Sequence, residues 1–429
     1  MSAGQRGGLL RRHRDFRLLW CGETTGKYGA SVTSVAMPLV AVSTLDANAF
    51  QVGLLSASAW APWLLIGLPA GAWIDRMRRR PVMLAAAAVS CVLFALVPLA
   101  AWAGRLSLGL LLAVALLGGT AAVFFQTAYS AYLPGLLDPA DQAEGNAALH
   151  GSASAAQIAG LGSAGLIAQA AGTVNAMAAN AATFLVSLLC LARIRHREPR
   201  PTPARRALTA EVADGLRLVG RDRWLRAFTL YGAATNLALM GYQSIQFLFL
   251  VRTLGMAPGT VGALIAVTGA GGVVGALAAR RTAAALGTAR AALLFALPVP
   301  SLALLMPLAT GGAGVALFAI GGFGVTAGIV AVNILKSGFQ QRWCPPALLG
   351  RLTASGAFLT YGAVPLGALL GGWLGTVTDL RTAMFVTTAA VPLAGLLLLF
   401  SPLRHVRDLP TRPAATATPA PLDAERAER

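Results

Sequence analysis

The chain has 429 residues, of which 56% are hydrophobic and only 12% are charged. Since charged residues make up about 25% of an average soluble protein, this composition excludes a water-soluble globular protein and indicates that lipid surrounds most of the chain. The net charge of +18 does not indicate a nucleic-acid partner, because the arginines form short clusters between long uncharged stretches rather than one basic face.

A membrane-spanning helix needs about 20 mostly apolar residues, and twelve segments of the sequence meet this requirement. They are predicted at 17–44, 50–74, 81–103, 107–133, 147–171, 173–195, 224–251, 258–279, 289–309, 313–341, 352–376 and 379–402. The short connection at 172–174 and the Gly-rich junction at 311–312 are the weakest boundaries, so eleven spans are an alternative. The expected fold is an all-α integral membrane protein of about twelve transmembrane helices.

Basic residues are distributed unevenly among the predicted loops. Thirty of the 34 lysines and arginines fall on the side that carries both chain ends, with residues 336–351 counted as one of its loops. Three fall on the opposite side, and Lys27 lies within a span. Because basic loops are retained in the cytosol, both termini are expected to be cytosolic, in a multi-pass protein of the cell inner membrane.

A polar stretch near the middle of the sequence divides the chain into two halves. We expect a six-helix bundle at 1–195, a cytosolic linker at 196–223 and a second six-helix bundle at 224–402. The linker contains Pro199, Pro201 and Pro203. The remaining segment, 403–429, is rich in Pro, Ala and Thr and is predicted to be a disordered cytosolic tail.

Two charged residues, Glu23 and Lys27, lie within the first predicted span. A charge at the bilayer centre costs about 2.5–3.5 kcal/mol on insertion scales, so each needs a partner or a function. Their spacing of four places both on one helical face. One hypothesis is that Glu23 exchanges protons while Lys27 tunes it or meets an anionic group of a substrate. The alternative is a structural ion pair, or a Lys27 that reaches toward the interface.

The connection after the second span carries a motif, GAWIDRMRRRP, at 71–81. A glycine, three residues, Asp-Arg and then a basic cluster resemble the signature between the second and third spans of the major facilitator superfamily. In that family the signature acts as a gate latch, whereas the simpler alternative is an ordinary basic loop. The positions that carry the resemblance are Gly71, Asp75, Arg76, Arg78, Arg79 and Arg80.

Three further segments resemble the branch of this superfamily that contains macrolide and siderophore (enterobactin) exporters. They are 16–20 (FRLLW), 134–146 (PGLLDPADQAEGN) and 340–352 (QQRWCPPALLGRL). Two features depart from the pattern. The chain has no Asp or Glu between Asp222 and Asp379, so the second half lacks the acid of a second latch. Ala30 follows Gly29 where branch members often carry an acid, which removes one expected proton site.

In this superfamily the first, fourth, seventh and tenth spans line a central cavity. The resemblance therefore implies that polar residues on these spans face the cavity here, although each taken alone is also consistent with a hydrogen bond between helices. These proton or substrate candidates are Glu23, Lys27, Gln126, Tyr129, Asn236, Gln243 and Asn333.

The resemblance implies a secondary transporter that exports a small amphipathic molecule of the drug, macrolide or siderophore type, by proton antiport and alternating access. Alternatives are a proton-coupled importer of a small nutrient on the same fold, a membrane enzyme, or a non-transporting sensor. The sequence contains no phosphate loop and no local metal motif, so we expect no enzyme activity, metal or cofactor. The expected partners are the substrate, protons and membrane lipid, with no nucleic acid, and the protein is expected to be a monomer.

Overall fold

The computed structural model describes residues 9–138, 141–196, 198, 217, 219–344 and 346–411. Most of the predicted linker, and the tail beyond residue 411, lie outside the described residues. The described helices are α1 (Leu9–Arg12), α2 (Arg14–Ser43), α3 (Ala49–Leu65), α4 (Gly67–Asp75), α5 (Arg79–Trp102), α6 (Leu108–Leu136), α7 (Gln142–Ala171), α8 (Thr173–Ala192), α9 (Arg223–Leu248), α10 (Pro258–Leu286), α11 (Thr288–Ala296), α12 (Val315–Trp343), α13 (Pro346–Val377) and α14 (Leu380–Leu399).

Helix occupies each of the predicted apolar segments, but two of the segments are interrupted. The second segment breaks at Ile66 into α3 and α4, because Pro69 has no amide proton for the carbonyl of Leu65 and its ring clashes with that turn. In the ninth segment α11 ends just before Pro298, and a 3₁₀ helix, Pro300–Leu308, continues it. Proline therefore sets both interruptions.

Eight helices in the described part of the chain are long and apolar enough to cross a membrane: Arg79–Trp102, Leu108–Leu136, Thr173–Ala192, Pro258–Leu286, Thr288–Leu308, Gly312–Trp343, Ser355–Val377 and Leu380–Leu399. These helices expose large apolar side chains, among them Leu99, Leu277 and Leu393, which lipid solvates better than water. The helix α3 is shorter than these, and α2, α7 and α9 carry more polar residues. The chain is a multi-pass membrane protein.

The first and second halves of the chain pack their helices in the same order. In the first half α2 packs between α7 and α8, and α6 packs against α3 and α5. In the second half α9 packs between α13 and α14, and α12 packs against α10, α11 and the 3₁₀ helix. The main contacts between the halves are α3 with α13 and α7 with α10.

Both contacts between the halves depend on glycine at the same end of the molecule. A Cβ added to Gly165 of α7 would lie 2.5 Å from the carbonyl oxygen of Pro258 and 2.6 Å from the Cα atom of Gly262. A Cβ on Gly372 of α13 would lie 3.0 Å from the Cα atom of Gly53. At both crossings one backbone therefore lies directly on another, as small residues permit in membrane helices.

Polar contacts reinforce this end, which we call the closed end. The guanidinium of Arg252, after α9, pairs with the carboxylate of Asp46, between α2 and α3. The amide of Phe50 donates to the hydroxyl of Thr376, at 3.1 Å. Nearby, Asp379 caps α14, and hydrogen bonds from Thr382 hold the pKa of the Asp379 carboxyl below its ordinary value.

The opposite end, which we call the arginine-rich end, contains residues 9–17, 76–80, 193–196, 198 and 404–411. Here the polar contacts join elements within the same half of the chain. Glu198, after α8, accepts from the amide of Arg80 at 3.0 Å, near the beginning of α5. The guanidinium of Arg80 donates to the carbonyls of Leu191 and Ala192 at the end of α8, where a cation is favourable.

The second half repeats this arrangement after its own last helix. Asp408 accepts from the amide of Thr288, the first residue of α11, at 2.8 Å. The amide of Leu409 donates to the Thr288 hydroxyl at 2.7 Å, and both Leu403 and Leu409 are buried. Residues 403–411, predicted as the beginning of a disordered tail, therefore pack on the bundle, because two buried leucines and a helix cap hold them.

We predict that Gly165→Ala lowers the free energy of unfolding by about 1–3 kcal/mol, the usual cost of overpacking, because the new methyl must displace the backbone of α10. Gly151→Ala, in the same helix, is the matched control, since a Cβ there meets no atom within 4 Å and alanine favours helix. Thermal unfolding in detergent measures both. Equal midpoints for the two variants would show that the crossing is not tightly packed.

Candidate functional site

A cavity of about 360 Å³ lies between α2, α6 and α7 and extends to Gln142 at the beginning of α7. Its polar lining consists of Glu23, Lys27, Gln126, Tyr129, Ser130, Gln142, Asn146 and His150. Four of the seven predicted cavity residues therefore lie together here, all in the first half of the chain. The cavity holds both charges that the sequence places inside the first span.

The packing of α2 directs these two charges into the cavity. Small residues on one side of α2 lie against α8, where a Cβ on Gly22 would be 3.3 Å from Cys190 and Gly29 faces Asn180. The other side of the helix, with Glu23 and Lys27, is thus turned toward α6 and α7. Glycine against α8 sets the rotation of α2 about its axis.

Glu23 and Lys27 form an ion pair, with 3.4 Å between Nζ and Oε1. The Lys27 ammonium also donates to the side-chain oxygen of Gln126 at 3.2 Å. The Glu23 side chain is 7% exposed and the Lys27 side chain 42% exposed, so the carboxylate is buried behind a lysine that reaches the cavity. A proton bound by Glu23 would neutralise the buried group and release the lysine from its carboxylate partner.

The walls of the cavity combine aromatic and polar groups. The ring of Tyr129 stacks on Phe125, with centroids 6.4 Å apart and planes inclined by 10°. From α7, Asn146 and His150 approach the cavity from solvent-exposed positions. An amphipathic molecule would meet an aromatic surface, hydrogen-bonding groups and one ion pair in this space, which is a typical composition for a small-molecule site.

A larger, shallow groove of about 740 Å³ runs along another side of α2, against α7. Its lining includes Trp20, Thr24 and Tyr28 but no charged side chain. The hydroxyl of Thr24 bonds to Ser152, and Tyr28 bonds to Ser163, so most of the groove's polar groups already have partners. The smaller cavity is therefore the stronger candidate site.

The predicted latch residues contact their own bundle. Arg79 pairs with Glu198 at 4.0 Å, and Arg80 caps α8, whereas Arg76 and Arg78 are exposed. A Cβ on Gly71 would meet nothing within 4 Å. The side chain of Asp75 lies outside the described part of the structure. The polar contacts of Arg79 and Arg80 therefore stay within the first half of the chain.

The three candidates of the second half lie away from this cavity. Asn236 donates to the carbonyl of Gly232 in its own helix, at 2.9 Å. Gln243 is half-buried in α9, and Asn333 is exposed on α12. The structure does not bring these residues together with Glu23 and Lys27.

Sequence reasoning missed several residues. Gln142 and Asn146 were not expected at the cavity, because residues 134–146 were assigned to a loop, whereas α7 begins at Gln142. His150 lies in the fifth predicted span, which was not among the four expected to line the cavity. Lys336 was counted with the loop at 336–351, but it lies inside α12, which ends at Trp343. A search of the described residues finds no cluster of three or more His, Cys, Asp or Glu that could hold a metal.

Comparison with known proteins gives matches over most of the chain. The family model described as Major Facilitator Superfamily matches residues 19–340. The multidrug efflux pump Tap of Mycolicibacterium fortuitum is 26% identical over 96% of this chain and 100% of its own length. The protein of the same name from Mycobacterium tuberculosis is 27% identical over 89% of this chain and 92% of its own length.

Solved structures agree on the fold. The nucleoside transporter NupG covers 90% of this chain and 99% of its own, with a TM-score of 0.74 and 12% sequence identity. A bacterial homologue of the iron transporter ferroportin, in an inward-facing state, covers 92% and 99%, with a TM-score of 0.71 and 18% identity. Identities this low show a shared fold and carry no information about substrates.

We predict that Lys27→Met destabilises the protein more than the double change Glu23→Gln with Lys27→Met. The single change leaves a buried carboxylate without its cation, whereas the double change leaves no charge. Because Lys27 is partly exposed, the cost should fall between the ~1 kcal/mol of surface pairs and the ~3–5 kcal/mol of buried ones. A double-mutant cycle of unfolding midpoints in detergent measures it, and additive effects would show that the pair is not coupled.

Proposed function

The chain belongs to the Major Facilitator Superfamily, and on that basis we propose that it exports small amphipathic molecules from the cell in exchange for protons. It is a transporter and not an enzyme. The buried carboxylate of Glu23, in the cavity beside α6 and α7, is the observation that carries the coupling to protons. The relatives named as multidrug efflux pumps, matched over nearly their whole length, support the direction and the type of cargo.

Glu23 suits proton exchange for reasons of position and chemistry. It is the only acid in the interior of a predicted span, since Asp379 stands at the very beginning of the twelfth. A charge at the depth of Glu23 is costly, so binding a proton or a cation relieves that cost. Its titratable and charged neighbours in the cavity are Lys27, Tyr129 and His150. In this mechanism Glu23 takes up a proton from outside after the cargo has left and carries it inward. It releases the proton to the cytosol, and the next cargo then binds in the cavity while Glu23 is ionised and paired with Lys27.

The two ends of the molecule support alternating access. Glycine crossings and the pair of Asp46 with Arg252 join the halves at the closed end, while the cavity extends toward the arginine-rich end. We place the arginine-rich end in the cytosol, since basic loops are retained there, which makes this conformation inward-facing. The proposed topology has twelve spans, with both termini in the cytosol and two six-helix bundles joined by a linker at 196–223.

The latch motif fits the same cycle, because it would stabilise the outward-facing conformation. In the structure α4 makes only limited contact with α13, and there is open space beside Gly67 and Gly71. When the closed end opens and the arginine-rich end closes, that space lets α4 pack more closely against α13. Gly71 and Asp75 would then lie at the new contact, while Arg79 and Arg80 keep the loop fixed to α8.

We predict that Glu23→Gln removes the dependence of export on the proton gradient, because glutamine cannot exchange a proton. Transport of a fluorescent dye into inverted membrane vesicles, with and without a pH gradient, measures this. The control is Asp138→Asn, since Asp138 is exposed and lies outside the cavity. Gradient-driven transport by Glu23→Gln at the wild-type rate would exclude Glu23 as the coupling site.

We predict that a crosslink at the closed end stops transport reversibly. Phe50→Cys with Thr376→Cys places a thiol on each of two residues that are already in contact, since the backbone amide of Phe50 and the Thr376 hydroxyl are 3.1 Å apart. Both changes are made in a background without the four native cysteines. A short reducible thiol crosslinker should abolish dye export, and reduction should restore it, because alternating access requires this end to separate. Each single-cysteine variant, treated in the same way, is the control, and full transport by the crosslinked protein would contradict the mechanism.

A further inference from the structure

The chain contains only two lysines among its 34 basic residues, Lys27 and Lys336. Arginines supply the remaining positive charge and lie mainly in the loops, whereas both lysines lie inside helices, α2 and α12. Lys27 is bonded to Glu23 and Gln126, whereas the function of Lys336 has not yet been assigned.

Lys336 is turned toward the interior of the protein. It follows Phe318 by eighteen residues, which is about five helical turns, so both project in the same direction from α12. Phe318 is buried and stacks on Phe249 of the second half, with 6.4 Å between ring centroids. The lipid side of α12 is marked instead by Ile320 and Ile334, which are 48% and 39% exposed.

Lys336 has no counter-charge among the residues that the structure describes. It is half-buried, about 10 Å along the helix from Trp343, whose indole donates to Asp222 at the arginine-rich end. Among the residues that the structure describes, none forms a hydrogen bond or an ion pair with the Lys336 side chain. Since the sequence has no Asp or Glu between Asp222 and Asp379, none of the membrane helices of the second half can supply an acid.

Polar groups accompany this lysine on its face of α12. Asn333 and Gln340 lie one turn before and one turn after Lys336, at spacings that place all three side by side. Asn333 is exposed, and Gln340 is half-buried, so neither amide is enclosed by the protein. An ammonium flanked by two amides can hold a carboxylate or another oxyanion, because charge-assisted hydrogen bonds are the strong ones.

We propose that Lys336, with Asn333 and Gln340, binds an acidic group of the exported molecule, so that the preferred cargo is an amphipathic organic anion or zwitterion. This inference rests on the proposed export function and names its substrate class. A cation with no internal acid carries a desolvation cost in every state of the empty carrier, and an anionic cargo removes that cost when it binds. The cargo would then bridge the two halves, with its apolar part near Tyr129 and its acid on α12.

A matched pair of dyes tests the inference. Rhodamine B carries a free benzoate, and its ethyl ester has the same ring system without that acid. In inverted vesicles the wild-type protein should transport rhodamine B with the higher kcat/KM. Lys336→Met should reduce kcat/KM for rhodamine B about tenfold, as expected for the loss of one charge-assisted contact, and should leave the ester almost unchanged. Lys336→Arg should retain the preference.

Arg342→Met is the matched control, since Arg342 is an exposed cation on the same helix. If the wild type moves both dyes equally, or if Lys336→Met keeps the preference for rhodamine B, the inference fails while export stands. If the wild type moves neither dye better than vesicles without the protein, export itself fails for this class of compound. If Lys336→Met transports neither dye, Lys336→Arg decides the question. A preference of Lys336→Arg for rhodamine B would support the inference, and loss of that preference would contradict it.

Discussion

Direct backbone contact at two glycine crossings is the constraint on which the rest of the structure depends. Gly53 with Gly372 and Gly165 with Gly262 bring α3 onto α13 and α7 onto α10 at one end of the molecule. In lipid, membrane helices gain no hydrophobic free energy by packing together, so close packing and polar contacts must hold them. The position of these crossings near one end leaves the other end free to separate, and a cavity can form there.

The helices could be predicted well from the sequence because lipid, which surrounds them, requires long apolar segments. Long apolar segments between arginine clusters can form only helices in lipid, and each predicted segment does contain helix. The pair of Glu23 with Lys27 was also predictable, since spacing of four on one helix leaves little geometric freedom. Interruptions were harder to predict, because Pro69 breaks the second segment whereas Pro38, inside α2, does not.

Relations between distant helices could not be read from the sequence. Nothing local indicates that α7 begins early enough to bring Gln142 and Asn146 to the cavity, or that the acids near its beginning bind the N-terminal segment. Asp141 pairs with Arg12 and His13, and Glu144 accepts from the amide of Leu9. Lys336 was misplaced for a similar reason, since charge patterns assign a lysine near a helix end to the loop unless the helix is known to continue.

The polar contacts between the two halves lie at one end of the molecule, and this determines which conformation they stabilise. Among the described residues, the polar bonds between the two halves lie at the closed end, from Asp46 to Arg252 and from Phe50 to Thr376. At the arginine-rich end, Arg80 and Asp408 bond only within their own halves. These contacts therefore stabilise the conformation in which the arginine-rich end is open. In the exporter that we propose, such a preference would keep the binding site accessible from the cytosol, so that cargo is bound even at low concentration.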